Sequence, residues 1–205
     1  MRVCAVGLLQ RGMPHPPVRA DGKIETLITS LEMLAPPASP PPPAPRDGLS
    51  IQRAVRPTVS FYRYLYDTVG EDWLWYERRR LDDAALAAIV QHPAVEVFVL
   101  YAEGVPAGYA ELDGRALGAR GEVEIAYFGL LPEFIGHRLG PWLLDWAVRR
   151  AWSLGPRRVW VHTCTLDHPG ALAMYERAGF VQFKTEVEIA DDPRAPRGGP
   201  PLRAS

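Results

Sequence analysis

The sequence predicts a mixed α/β domain built on one hydrophobic core, and three observations predict it. Residues 122–180 alternate strand, glycine-bearing turn, amphipathic helix, strand and short helix. Upstream of them, two helical segments lead into a pair of β-rich runs that meet at Glu103-Gly104, a tight-hairpin signal. A chain of 205 residues that is 47% hydrophobic is also large enough to bury one good core.

Taken in order, residues 1–22 show no clear periodicity and read as a loose leader, with Met13 and Met33 open as alternative starts. Residues 23–34 are β-capable and read as an extra strand packed on the domain. Residues 35–47 are proline-dense, lack many backbone donors and read as a semi-rigid spacer. The domain proper is expected over 48–190. It opens on a strand at 49–55, then a helix at 58–69 with Thr58 as N-cap after Pro57. A second helix is expected at 81–91, with Asp82 and Asp83 in its first turn and Pro93 beyond its end. The hairpin runs follow at 95–102 and 105–113, and a strand at 122–131. The next helix, 141–154, carries Leu143, Ala147 and Ala151 in line with Leu139, widened by Trp142 and Trp146. Gly155-Pro156 ends it as a C′ glycine followed by proline should. Strands at 158–165 and 181–189 close the set, and the Pro-, Gly- and Arg-rich tail from 191 to 205 reads as disordered.

Composition removes several classes of function. The formal net charge is −1, so electrostatics provides no case for nucleic acid or an anionic membrane as the main partner. The two cysteines, Cys4 and Cys164, are too few for a disulfide framework. No apolar run approaches the ~20 residues of a membrane helix, and a reducing cytoplasm is the expected location.

The chemistry concentrates between 122 and 180. A strand that delivers the chain to a turn at a helix start makes an anion cradle, because the first amides of a helix lack partners and its dipole adds positive charge. Along 122–130, strict alternation places Glu122, Glu124, Ala126, Phe128 and Leu130 on one face, with Val123, Ile125 and Tyr127 on the other. Carboxylates on an apolar strand are costly to bury unless paired or used. Glu122 reads as a solvated strand start, whereas Glu124 is open to a salt bridge or a catalytic role. His162, Cys164 and His168 match no common metal spacing, so the expectation is no metal, a packed strand histidine and a buried thiol. The aromatic run 62–76 carries Asp67, Glu71 and Asp72; it reads as an aromatic wall whose carboxylates favour a cation, or as packing of the first helix onto the sheet.

Two stretches resemble the GNAT superfamily of acyl-CoA-dependent N-acetyltransferases. EIAYFGLLPEFIGHRLGPWLL is similar to that family's strand and cofactor loop, Gln/Arg-x-x-Gly-x-Gly/Ala. HPGALAMYERAGF is similar to its second motif, Asn-x-x-Ala-x-x-x-Tyr-x-x-x-Gly-Phe. The resemblance covers roughly residues 49–188. Three positions depart from the pattern: Ile135 in the Gln/Arg place, Arg138 in place of the first glycine and His168 in the Asn place.

The resemblance implies a mostly antiparallel, twisted sheet flanked by helices, with splayed central strands. It implies acetyl-CoA as cosubstrate, held by Phe128, Gly129 and Leu130 along the strand, by Gly136, His137, Arg138, Leu139, Gly140 and Pro141 at the turn, and by His168. It further implies Glu124 as base, the Leu130 N–H as oxyanion donor and Tyr175 as the acid that protonates the thiolate. The partners expected are acetyl-CoA and a primary amine, in a monomer or homodimer. Two alternatives stay open: a non-catalytic CoA-binding regulatory module of the same fold, and an adaptor that recruits a partner through the proline-rich segment.

Overall fold

The computed structural model describes residues 17–194. The first part of the expected leader, with Cys4, and the tail from 195 lie outside the described residues. Seven strands, β1 (Lys23–Met33), β2 (Leu49–Ala54), β3 (Val95–Ala102), β4 (Val105–Asp113), β5 (Glu122–Leu130), β6 (Arg158–Cys164) and β7 (Val181–Asp191), form one sheet in the order β2-β3-β4-β5-β6-β1-β7. Every neighbouring pair is antiparallel except β5 and β6. The helices are α1 (Val59–Gly70), α2 (Asp83–Val90), α3 (Leu117–Arg120), α4 (Leu139–Trp152) and α5 (Ala171–Arg177).

Local chemistry sets the element ends. Thr58 Oγ1 accepts from the Phe61 N–H at 3.3 Å, and Asp82 Oδ1 from the Ala85 N–H at 2.8 Å, so both expected caps fill orphan donors. Between β3 and β4 both turn residues are left-handed, Glu103 with φ 53° and Gly104 with φ 85°, as a hairpin that continues the strand twist requires. Leu139, Leu143, Ala147 and Ala151 form the fully buried stripe of α4.

The sheet has a helix layer on each face. On one, α4 and α5 cover Leu31, Leu112, Val123, Ile125, Val159 and Val161. On the other, α1 and α2 pack Tyr62, Leu65, Tyr66, Leu86 and Val90 against Val97, Val99 and Tyr109. Glu122 pairs with Arg158 at 3.1 Å, and the same guanidinium reaches Glu32 at 2.7 Å.

Two features differ from the expectation. First, β1, expected as an extra strand packed on the domain, lies within the sheet itself, paired to β6 on one side and β7 on the other. Ile24 and Leu31 are wholly buried on opposite faces, and the Thr26, Thr29 and Ser30 between them are buried too. From Met33 the chain must then cross five strand spacings to reach β2, about 24 Å. A proline-rich segment at ~3.1 Å per residue spans that distance with ease. It crosses α4 on the way, where Arg149 Nη2 donates to the Ser39 carbonyl at 2.8 Å.

Second, the alternation of β5 breaks. Glu111 pairs with Tyr127 and Leu112 with Ile125, leaving Ala126 unopposed in a bulge. Phe128 and Leu130 therefore turn to the α4 face with Val123 and Ile125, while Tyr127 packs on the α1 side. Glu124, between Val123 and Ile125, points to that α1 side and not with Phe128 and Leu130. The strict period-2 grouping is corrected accordingly.

Glycines allow β4, β5 and α1 to approach closely. A Cβ on Gly108 would lie 2.5 Å from the Gly129 carbonyl oxygen, and one on Gly129 would lie 2.4 Å from Val69 Cγ1. Because the first clash is with backbone, Gly108→Ala should destabilise the fold by about 1–3 kcal/mol. Denaturant unfolding checks this; an unchanged midpoint would contradict the packing described.

Candidate active site

β5 and β6 hydrogen-bond over three pairs only, ending at Glu124 opposite Trp160. Beyond that point they part, and a cavity of about 460 Å³ opens between them. Its walls come from β5 (Ala126 to Leu130), β6 (Val161, His162, Cys164), the start of α4 (Gly136, Arg138, Gly140, Pro141), α5 (Ala171, Met174, Tyr175) and the loop after α1 (Trp73 to Glu77).

Along β5 the free backbone faces the gap. The Leu131 N–H donates to the Ala107 carbonyl of β4 at 3.0 Å. Successive amides on a strand point to opposite sides, so the Leu130 N–H, and likewise that of Phe128, turns away from β4 and into the cleft. These are the donors that an extended polar arm laid along β5 would meet. Gly129 lines the cavity between them.

At the end of the cleft the chain enters α4 through two left-handed residues, Gly136 with φ 87° and Arg138 with φ 61°. Arg138 is the helix N-cap, and its side chain makes no cap hydrogen bond. The first amides of α4 lack intrahelical partners, as at helix starts that bind anions, except at Pro141, which has no N–H. A Cβ on Gly140 would stand 3.6 Å from Met174 Sδ and 3.8 Å from Leu130 Cδ1, so the glycine keeps open a space that a side chain would occupy. His137 is exposed and Leu139 is buried in the core; of these two, neither side chain lines the cavity.

Arginine at φ 61° carries the strain of the left-handed region, about 1–2 kcal/mol. Arg138→Gly should therefore melt above Arg138→Ala, since only the glycine relieves the backbone. Equal melting temperatures would show that the loop relaxes around arginine.

Tyr175 is buried at 5% exposure, with its ring 6.4 Å from Phe128 and 6.0 Å from Phe180, and it lines the cavity. Burial, with a smaller contribution from the Asp167 charge, pushes its phenol well above the ordinary range, so it holds its proton at neutral pH. Asp167 ties three elements together: it accepts from Trp75 Nε1 at 3.0 Å, Thr163 Oγ1 at 2.8 Å and the Cys164 N–H at 2.9 Å. His168 Nδ1 accepts from the Gly170 N–H at 2.9 Å and its ring stacks edge-on to Trp73 at 5.2 Å, closing the turn that leads into α5.

Glu124 does not itself line the cavity. Its Oε1 lies 3.2 Å from His162 Nδ1, and His162 does line it, with 44% of its side chain exposed. The hydrogen bond to Glu124 raises the imidazole pKa against the effect of burial, and the charges of Asp167 and Glu77 add to the rise. Its sequence context alone gives His162 as a packed strand histidine. The missing signal was the parallel pairing of β5 with β6, which local pattern does not carry. Cys164 is a free thiol whose pKa burial pushes up to about 12, so it is no thiolate nucleophile at neutral pH. Among the described residues no cluster of three or more His, Cys, Asp or Glu is placed to hold a metal.

The aromatic run divides. Tyr62 and Tyr66 are core residues, whereas Trp73, Trp75 and Tyr76 face the cavity. The carboxylates expected there are displaced: Asp67 pairs with Arg79 at 2.6 Å, and neither Glu71 nor Asp72 lines the space. Glu77 takes that place, its Oε2 accepting from the Tyr66 hydroxyl at 3.0 Å. Glu111 is wholly buried, accepting from the Tyr62 hydroxyl and from Arg78 Nη2 at 2.5 Å.

Solved structures share this architecture. A GCN5-related N-acetyltransferase from Sphaerobacter thermophilus superposes with a TM-score of 0.59 at 18% identity, over 82% of this chain and 52% of that one. A GCN5-related N-acetyltransferase from Kribbella flavida gives 0.53 at 19%, over 83% and 60%. An aminoglycoside acetyltransferase from an uncultured soil metagenomic sample, in complex with trehalose, gives 0.53 at 16%, over 65% and 88%. The chain thus spans about half to three fifths of the length of the two GCN5-related structures. A search of curated proteins finds no match. No helix among the described residues is long and apolar enough to cross a membrane. The description of the acetyltransferase (GNAT) family matches residues 59–180, more than half of the sequence, and the chain belongs to that family.

Proposed function

We propose that the chain transfers an acetyl group from acetyl-CoA to a primary amine by direct attack in the cleft between β5 and β6. The observation that carries this reading is one cavity shared by inward-facing strand amides, a glycine-lined helix start and a protonated tyrosine. Acetyl-CoA supplies the thioester, an acyl group on a stable leaving thiolate. Phe128 and Leu130 hold its arm through their N–H groups, with Gly129 between them. The amides of Gly136, His137, Arg138, Leu139 and Gly140 receive the pyrophosphate, and Pro141 and His168 complete the wall.

Phe128 lies beside Tyr175. An arm that runs back along β5 from the start of α4 meets the Leu130 N–H before that of Phe128, so the Phe128 N–H is the one nearer the reacting end, where negative charge develops on the carbonyl oxygen. Tyr175 gives its proton to the departing sulfur. An amine attacks only as the neutral base, so its proton must leave on the acceptor side, toward Glu124. Trp73, Trp75, Tyr76 and Glu77 form that side, which suits a cationic amine.

The test is release of free CoA thiol from acetyl-CoA on addition of primary amines, among them putrescine and tryptamine. Amine-dependent thiol release is expected; tight acetyl-CoA binding without turnover favours the second reading, a CoA-binding module, which the strained arginine at the cradle keeps in play. Arg138→Ala should weaken CoA binding modestly, and more at low salt, if the guanidinium meets phosphate. An affinity loss that is independent of salt would remove that contact.

A further inference from the structure

We propose that His162, held by Glu124, is the group that takes the proton from the acceptor amine, with Glu124 as a positioning residue behind it. The proposal rests on the transfer reading above and assigns the base that it requires.

Placement is the first argument. The two strands stay paired through Glu124 and Trp160 and then separate, so His162, two residues past Trp160, stands at the closed end of the cleft. Phe128 lies farther out on β5, and the arm laid along it would bring its reacting end toward this point.

Sidedness is the second. Tyr175 and Phe128 belong to the α4 side of the sheet. Glu124 and His162 alternate with Val123, Ile125 and Val161, which pack on α4, so both point to the α1 side, where Trp75 and Glu77 line the cavity. An attacking amine adds to one face of the planar thioester carbonyl, and the face turned to the α1 side is the one these groups line. Its proton is then released among groups on the α1 side, while the sulfur is protonated from the α4 side.

Reach is the third. The Glu124 carboxylate does not line the cavity, but the ring it holds does. With Nδ1–H donating to Glu124 at 3.2 Å, the neutral imidazole carries its lone pair on Nε2. As the nitrogen–carbon bond forms and the carbon–sulfur bond breaks, the amine proton passes to His162 Nε2 and the Tyr175 hydroxyl proton passes to sulfur. The imidazolium then loses its proton, and the tyrosinate regains one, through solvent. The groups that set the titration of this ring are Glu124 on β5, Asp167 after β6 and Glu77 after α1, all of which favour its charged form. The base is thus fully active only above the ordinary histidine value.

The experiment compares the full-length wild type with His162→Gln and Glu124→Gln. Three readouts are taken: acetyl-CoA affinity by calorimetry, kcat/KM against pH with putrescine and tryptamine, and the NMR titration of the His162 ring in the unliganded protein. The wild-type ring should titrate above the ordinary histidine value, and Glu124→Gln should lower it, moving the acidic limb of the rate profile with it. His162→Gln should cut kcat by about 10²-fold or more and abolish that limb, with acetyl-CoA affinity retained. Full kcat in a His162→Gln protein, or a ring titration unmoved by Glu124→Gln, overturns the proposal. A wild type inactive with both amines is a different result: it refutes the transfer reading, and the assignment of a base falls with it.

Discussion

Tyr175→Phe should lower turnover by about 10²–10³-fold while acetyl-CoA affinity stays at the wild-type level. The phenyl ring keeps the contacts with Phe128 and Phe180, so packing survives and stability changes by at most a hydrogen bond, about 0.5–1.5 kcal/mol. The sign of the pH dependence follows from burial. A phenol whose pKa is raised stays protonated below that value, so Tyr175 keeps its proton through neutral and mildly alkaline conditions. The wild-type rate should accordingly show no basic limb from this residue below pH ~10. Melting temperature, CoA affinity and turnover measured on one Tyr175→Phe sample decide the matter. Normal turnover in a stable variant would remove the acid role and leave Tyr175 as a core-edge residue.

Gly136→Glu or Gly140→Glu should abolish detectable CoA binding. At Gly140 the nearest atoms to a new Cβ would be 3.6 Å and 3.8 Å away, so the fold can accept the first carbon. What CoA binding as proposed cannot accept is a carboxylate directed into the space assigned to phosphate at the α4 amides. Gly136 adds a second penalty, since its φ of 87° lies where side chains are strained. Gly140→Ala separates bulk from charge and should lose far less affinity than Gly140→Glu. Calorimetry on the three proteins checks the ordering; unchanged affinity in both glutamate variants would contradict the placement of the phosphates.

Features governed by near neighbours in sequence were legible. Thr58 and Asp82 cap their helices because a side-chain oxygen three residues ahead of an orphan amide has few other partners. Glu103-Gly104 makes its hairpin, and Gly155, with φ 80° before Pro156, ends α4. Features set by distant pairing were not. The bulge at Ala126 exists because of how β4 meets β5, and it turns Phe128 and Leu130 to the face opposite Glu124, with which simple alternation groups them. Strand β1 takes its place through pairing with segments well over a hundred residues away, and its Thr and Ser content resembles that of a marginal strand. The cavity wall after α1 shows both cases. Its aromatic character was readable, but the carboxylate within it is Glu77, because Asp67 is engaged by Arg79 across a turn that no periodicity announces. His162 was discounted for the same reason: its partner Glu124 lies on another strand.

Whether the gap where β5 leaves β6 is an acetyl-CoA site is decided by a crystal structure of the protein grown with acetyl-CoA. Expected there are the pantetheine arm alongside β5 within hydrogen-bonding distance of the Phe128 and Leu130 N–H groups, the pyrophosphate on the amides from Gly136 to Gly140, and the sulfur within reach of the Tyr175 hydroxyl. Acetyl-CoA bound elsewhere on the protein, with the cleft filled only by water, would contradict that placement.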